Sequence, residues 1–146
     1  MQPETIFNAG NLLALTGWVC LLIALFAAPA RRFAMAWAGI TVPAVLAAAY
    51  VALLISAREA FAEGGFGSIA EVRALFAHDA ALTAGWLHYL AFDLFVGAWI
   101  VRTGLDRGIS RLLVLPCLPL TFLFGPAGLL LFFAVGAATR PREILS

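Results

Sequence analysis

The chain has 146 residues, of which 64% are hydrophobic and 12% charged, with a formal net charge of +1, and its mean hydropathy is +1.01. Soluble domains carry about 25% charged residues, so this composition excludes a soluble globular fold, and a net charge near zero gives no field to recruit nucleic acid. The length fits one membrane domain, residues 1–146, of about four spans, and leaves no room for a separate soluble catalytic domain.

The first span is expected over about 5–28. Pro3 and Glu4 suit a helix start, and Pro29 with Arg31 and Arg32 marks its end. The opening MQPETIFNAG lacks a basic region, so this span reads as a retained helix rather than a signal peptide. Asn8 and Asn11 lie three apart on one helical face, placed either to bond a neighbouring helix or to orient the polar group of a ligand. The second span is expected over about 33–56, with Pro43 predicting a kink and Ala47, Ala48, Ala49 and Ala52 permitting close helix approach.

Between the second and third spans, EGGFGS reads as a turn. SIAEVRALFAHD then reads as a short amphipathic helix over about 68–78, lying in the membrane interface. Ser68 and Glu71 have capping-box spacing.

The third span, expected over about 82–101, carries the polar residues around which a function can be built: WLHYLAFDLFVGAW, from Trp86 to Trp99. Asp93 lies near its centre, where an ionisable group costs roughly 2.5–3.5 kcal/mol on insertion scales. Such residues mark either a functional site or a hydrogen-bonded clamp between helices. Tyr89 shares the face of Trp86, Asp93 and Gly97. His88 shares the face of Phe92 and Phe95. On a straight helix His88 and Asp93 differ by about 140° in bearing, from the ~100° step per residue, so they form no ready-made pair.

The fourth span is expected over about 112–139. Pro116, Pro119 and the Gly125-Pro126 pair leave two possibilities open, one long kinked helix or a span broken at Gly125-Pro126. The expected fold is therefore an all-α integral membrane four-helix bundle with an interfacial helix between the second and third spans. The arginine count favours the first and third loops as cytoplasmic, which puts both termini outside. Cys20 and Cys117 stand isolated in apolar runs and make neither a metal pattern nor a disulfide framework. No metal site, phosphate-binding glycine motif or cofactor site is legible. The Ala- and Gly-rich faces also permit a homo-oligomer.

WLHYLAFDLFVGAWI, followed by DRGISR and then LPCLPLTFLFGPAGLLLFF, resembles the small membrane proteins related to plant neoxanthin synthase, named after the abscisic-acid-deficient-four locus and also known as a bacterial domain of unknown function. The opening IFNAGNLLALTGW is similar to the family's start, so the resemblance covers nearly the whole chain. It implies a four-helix membrane protein, in bacteria one of the inner membrane. For the plant members it implies the conversion of violaxanthin to neoxanthin, an epoxide opening that creates an allene with no net redox change.

On that basis the expected function is an isomerase-type, cofactor-independent enzyme acting on a carotenoid or related isoprenoid lipid. A carboxyl desolvated in hydrocarbon favours its neutral form, which suits Asp93 as the acid that protonates the epoxide oxygen. His88 is the expected base. Asn8, Asn11, Trp86, Tyr89, Phe92 and Phe95 are the expected ligand-binding residues, the amides orienting a ring hydroxyl and the aromatic rings flanking a polyene. The rival expectation is a non-catalytic isoprenoid-binding or membrane-assembly protein.

Overall fold

The computed structural model describes residues 2–139, and among them the chain is entirely helical, with seven helices and no strand. Three helices are long and apolar enough to cross a membrane: α1 (Pro3–Phe26), α2 (Ala28–Ser56) and α5 (Asp79–Asp106). The polar connection between α2 and α5 holds α3 (Ala60–Glu63) and α4 (Ile69–Leu75). Two shorter apolar helices, α6 (Arg111–Phe124) and α7 (Pro126–Ala138), complete the described chain. The outward surfaces carry large apolar side chains, with Leu12 67%, Phe33 73%, Ile40 63% and Leu130 70% exposed. Surfaces of this kind are compatible with lipid and unfavourable in water.

α5 is the central helix, packed by α1, α2, α6 and α7. Its contact with α1 is set by glycines. Leu87 fills the space beside Gly10 and Leu94 the space beside Gly17, so closely that a Cβ at either glycine would overlap the leucine. Both partners advance by seven residues in the same chain direction, so α1 and α5 run parallel with backbones in close approach. Replacing Gly17 with Val drives a branched side chain into Leu94. The expected cost is about 1–3 kcal/mol, read as a lowered unfolding temperature in detergent.

Helix boundaries follow the chemistry of the ends more closely than hydropathy. α1 and α2 are separated by a single extended residue, Ala27 (φ −102°, ψ 92°). Pro29 then lies in the opening 3-10 turn of α2 rather than closing α1, because a proline in a first turn loses no helical hydrogen bond. The disturbance expected at Pro43 takes the form of a π-helical turn over Trp37–Thr41. There Val42 N–H reaches back five residues to the Trp37 carbonyl, and the helix continues past the proline. α5 is longer than the 82–101 expected, since hydropathy marks the apolar run while the helix continues into polar turns. It ends before Gly108, which takes a positive φ of 67°. α4 is shorter than the 68–78 expected, and half of its capping box forms: Ser68 Oγ accepts from Glu71 N–H at 3.2 Å, while Glu71 Oε2 accepts from Gly67 N–H at 3.1 Å.

Over 112–139 the structure takes the second of the two possibilities, a break at Gly125-Pro126, and neither of the two helices there reaches the length of the three long ones. The chain breaks at Gly125 (φ +36°, ψ −91°), and α7 folds back along α6. A Cβ at Gly128 would overlap Thr121 and stand 2.6 Å from the Cys117 carbonyl oxygen. Residues eleven apart on one straight helix would be about 16 Å apart at 1.5 Å per residue. Phe132 packs edge-on against Trp99 (centroids 5.4 Å) and closes over Gly104. Thr139 lies with Gly136 beside Arg107, Gly108 and Ser110. The hairpin thus enters from the carboxyl-terminal end of α5, turns at the level of Asp93, and returns to the end it left. Gln2 lies beside Asp79 at the other end of α5. Gln2 and Thr139 are therefore at opposite ends of the bundle. A single inserted cysteine tests this: Thr139→Cys is expected to react with an impermeant maleimide from the same side as Gly108→Cys. A fourth complete span would instead put it on the side of Gly65→Cys.

Candidate functional site

The site is where the tip of the hairpin meets the middle of α5, and it begins with a missing donor. In a helix the Phe122 carbonyl would accept from the N–H of residue 126, but residue 126 is proline and has none. The Tyr89 hydroxyl replaces it, donating to the Phe122 carbonyl oxygen at 2.8 Å. A carbonyl freed in hydrocarbon is costly unless another group satisfies it, so Tyr89 belongs to the turn as much as to α5. Tyr89→Phe leaves that carbonyl unpaired, and a loss of about 1–2 kcal/mol is expected in thermal unfolding.

Asp93 lies one turn beyond Tyr89 and faces the same apex. A Cβ at Gly125 would stand 2.7 Å from Asp93 Oδ1 and 2.9 Å from Oδ2, so glycine is required there both for its backbone and for the approach of the carboxyl. Pro126 begins α7 directly afterwards, which puts Asp93 at the amino-terminal, positive end of that helix. Asp93 as a whole is half-buried. Its Oδ2 is fully buried and has no hydrogen-bond partner within the described residues. The Tyr89 hydroxyl lies beside the carboxyl. Its single proton is committed to Phe122, so a hydrogen bond between the two side chains requires Asp93 to be the donor.

The polar face of α5 continues towards its amino-terminal end. Trp86 packs at a tilt against Tyr89 (centroids 5.2 Å, 41° between planes) and donates its indole N–H to Asn11 Oδ1 at 2.9 Å. The Asn11 amide in turn donates to the Phe7 carbonyl at 3.0 Å. Asn11 and Trp86 thus fasten α1 to α5. On the opposite flank Trp18 of α1 meets Phe122 edge-on (centroids 5.4 Å) and packs over Gly97. Asp93 therefore sits among Tyr89, Phe122, Gly125 and the Trp18–Gly97 contact.

The other expected site residues are elsewhere. His88 stacks on Phe92 (centroids 4.5 Å) and lies against Tyr50 of α2 (5.6 Å), on the side of α5 away from the hairpin. Phe92 and Phe95 line an apolar furrow between α2 and α5. Asn8 is exposed on α1. Of the eight residues singled out from the sequence, Asp93, Tyr89, Trp86 and Asn11 form one connected array, while His88, Phe92 and Phe95 form another. Gly125, Phe122 and Trp18 escaped the sequence reading as site residues. The signal for Phe122 was present: a proline four residues after an apolar residue frees that residue's carbonyl.

The geometry supports one half-buried carboxyl, an adjacent phenol and aromatic neighbours. No protein of curated function and no solved structure is significantly similar to the chain. The ABA DEFICIENT 4-like family matches residues 5–132, most of the chain and the whole of the array around Asp93, and the protein belongs to that family.

Proposed function

We propose that the protein is a membrane-embedded isomerase of a carotenoid or related isoprenoid lipid, with Asp93 as its acid. The observation that supports this reading is the Asp93 carboxyl, half-buried at mid-helix, with one oxygen fully buried and unpartnered at the apex of the hairpin. In this reading the hairpin is re-entrant, dipping into the membrane beside three spans, and its tip carries irregular backbone only where protein meets it.

The proposed reaction needs one carboxyl. Asp93 gives its proton to the epoxide oxygen as the carbon–oxygen bond breaks, and the bond's electron pair stays on oxygen as a hydroxyl. The adjoining polyene carbon then loses its proton to the Asp93 carboxylate, and the C–H electrons close the cation into the allene. Asp93 ends as it began, and no oxidant or reductant is consumed. Tyr89 orients the carboxyl, and Trp18 and Phe122 flank the polyene. This version spares His88 the base role, because His88 faces α2. His88→Ala is expected to leave turnover within about threefold, well short of the ~10²-fold or more expected when a general acid or base is lost. A larger loss would return His88 to the reaction.

The test of the reading is conversion. Purified protein in mild detergent is incubated with an epoxy-carotenoid, and the products are separated by chromatography with mass detection. A new species of unchanged mass, formed catalytically, supports the isomerase. A retained isoprenoid with no conversion supports the second reading, a non-catalytic isoprenoid-binding or membrane-assembly protein. That reading draws on the separation of His88 from Asp93, which leaves no acid–base pair.

A further inference from the structure

Charge is distributed unevenly along the bundle. At the end where α5 finishes, the described residues place Arg31, Arg32, Arg102, Arg107 and Arg111 against one acid, Asp106. At the opposite end Arg58 and Arg73 face five acids, Glu4, Glu59, Glu63, Glu71 and Asp79. Three of the five arginines converge. Arg31 and Arg32 from the first turns of α2 and Arg102 from the last turns of α5 line one pocket of about 410 Å³, together with Met35, Ile40 and Asp106.

None of the three makes an ion pair within 4.0 Å among the described residues, where the one such contact joins His78 and Glu63. Arg31 is held in place. Its Nε donates to the Ala24 carbonyl at 3.0 Å, while one terminal nitrogen is buried with no partner among the described residues. A buried guanidinium nitrogen without an acceptor is costly, and an anion at the pocket would supply one.

The pocket does not stop at the arginines. Met35, Ile40 and Arg102 also line a small space of about 140 Å³ that reaches Gly39, Phe95 and Trp99. That space shares Gly39, Ile40 and Phe95 with the adjoining apolar furrow of about 490 Å³ walled by Pro43, Ala44 and Phe92. The π-helical turn and Gly39 lie along this seam. A charged head thus leads into an apolar channel parallel to the helices, with the head at the end of the spans, where a bilayer's phosphates would lie.

We infer that this furrow holds an anionic phospholipid, its phosphate on Arg31, Arg32 and Arg102 and one acyl chain along Ile40, Pro43, Phe92 and Phe95. Charge complementarity selects this occupant: a zwitterionic lipid would bring its ammonium group to a site with three guanidiniums and one carboxylate. The net positive charge favours a phosphate with no ammonium beside it, and arginine presents a fork of donors suited to it. The inference is independent of Asp93 chemistry, since the furrow is on the far side of α5.

The test is lipid retention. Protein reconstituted in nanodiscs of phosphatidylcholine with a tenth part of phosphatidylglycerol is released into mild detergent, and bound lipid is counted by native mass spectrometry. One phosphatidylglycerol is expected per chain, enriched over its share of the bilayer. Arg32→Gln with Arg102→Gln, both exposed positions, is expected to lower that retention about tenfold. Arg31→Gln is expected to act likewise, and Arg58→Gln with Arg73→Gln at the other end to leave it unchanged. Helical circular dichroism accompanies each variant, and the exposed pair keeps the test valid should Arg31→Gln unfold. Retention in proportion to bilayer composition, retention unaffected by Arg32→Gln with Arg102→Gln, or an isoprenoid retained in place of the phospholipid would overturn the inference.

Discussion

Asp93→Asn is expected to lower turnover of an epoxy-isoprenoid by about 10²-fold or more while leaving the fold intact. Loss of a positioned proton donor carries that magnitude. Asparagine has the size of aspartic acid and keeps a carbonyl oxygen and an N–H₂ donor at the Gly125 apex, so the close approach there is preserved. It cannot transfer a proton. Asp93→Ala is a harsher change, since it empties the space against Gly125 as well, and its effect on stability separates the two roles of the carboxyl. If Asp93→Asn turns over substrate at the original rate with an unchanged unfolding temperature, Asp93 is not the acid. If both turnover and stability collapse, the carboxyl acts chiefly as the clasp of the hairpin.

Gly125→Ala is expected to cost about 3 kcal/mol or more. Two effects add. The backbone at φ +36°, ψ −91° is one that only glycine adopts without strain, at about 1–3 kcal/mol for another residue. The new Cβ would also stand 2.7 Å from Asp93 Oδ1 and force the carboxyl or the hairpin to move, at about 1–3 kcal/mol. Gly108 provides the comparison. It has φ +67° and nothing within 4 Å of an added Cβ, so Gly108→Ala carries backbone strain alone, about 1–2 kcal/mol. The readout is local as well as global. Cys117 is fully buried where α6 meets α7. In a Cys20→Ser background its reaction with a maleimide is expected to quicken severalfold in Gly125→Ala and to stay unchanged in Gly108→Ala. Equal behaviour of the two variants would show that the apex is not held by Asp93.

The array around Asp93 was partly legible. The positions Trp86, Tyr89 and Asp93 share a helical face by spacing alone, and the ~140° bearing between His88 and Asp93 anticipates that they face different helices. What each face meets was not legible. That Tyr89 serves the Phe122 carbonyl depends on a hairpin whose existence no periodicity announces. Both arms of that hairpin are uniformly apolar, so each reads as part of one span, and hydropathy registers neither the direction of the chain nor a reversal. The prolines and Gly125 marked a break without its angle.

The family and the membrane-compatible helical character of this protein followed from its sequence, because apolar composition, helical run lengths and the motifs at residues 5–132 are local properties. An acid in an apolar run, Asp93, is likewise conspicuous wherever the run lies. The tertiary structure alone decided that α6 and α7 fold back on each other. It also decided that Gly125 meets Asp93, that His88 packs on α2, and that arginines 70 residues apart in the chain, Arg32 and Arg102, share a pocket. These are contacts between helices. They depend on which face of each helix packs and how far each advances along its neighbour, and the close fit of glycine against leucine that sets both is a property of pairs of surfaces rather than of any one segment.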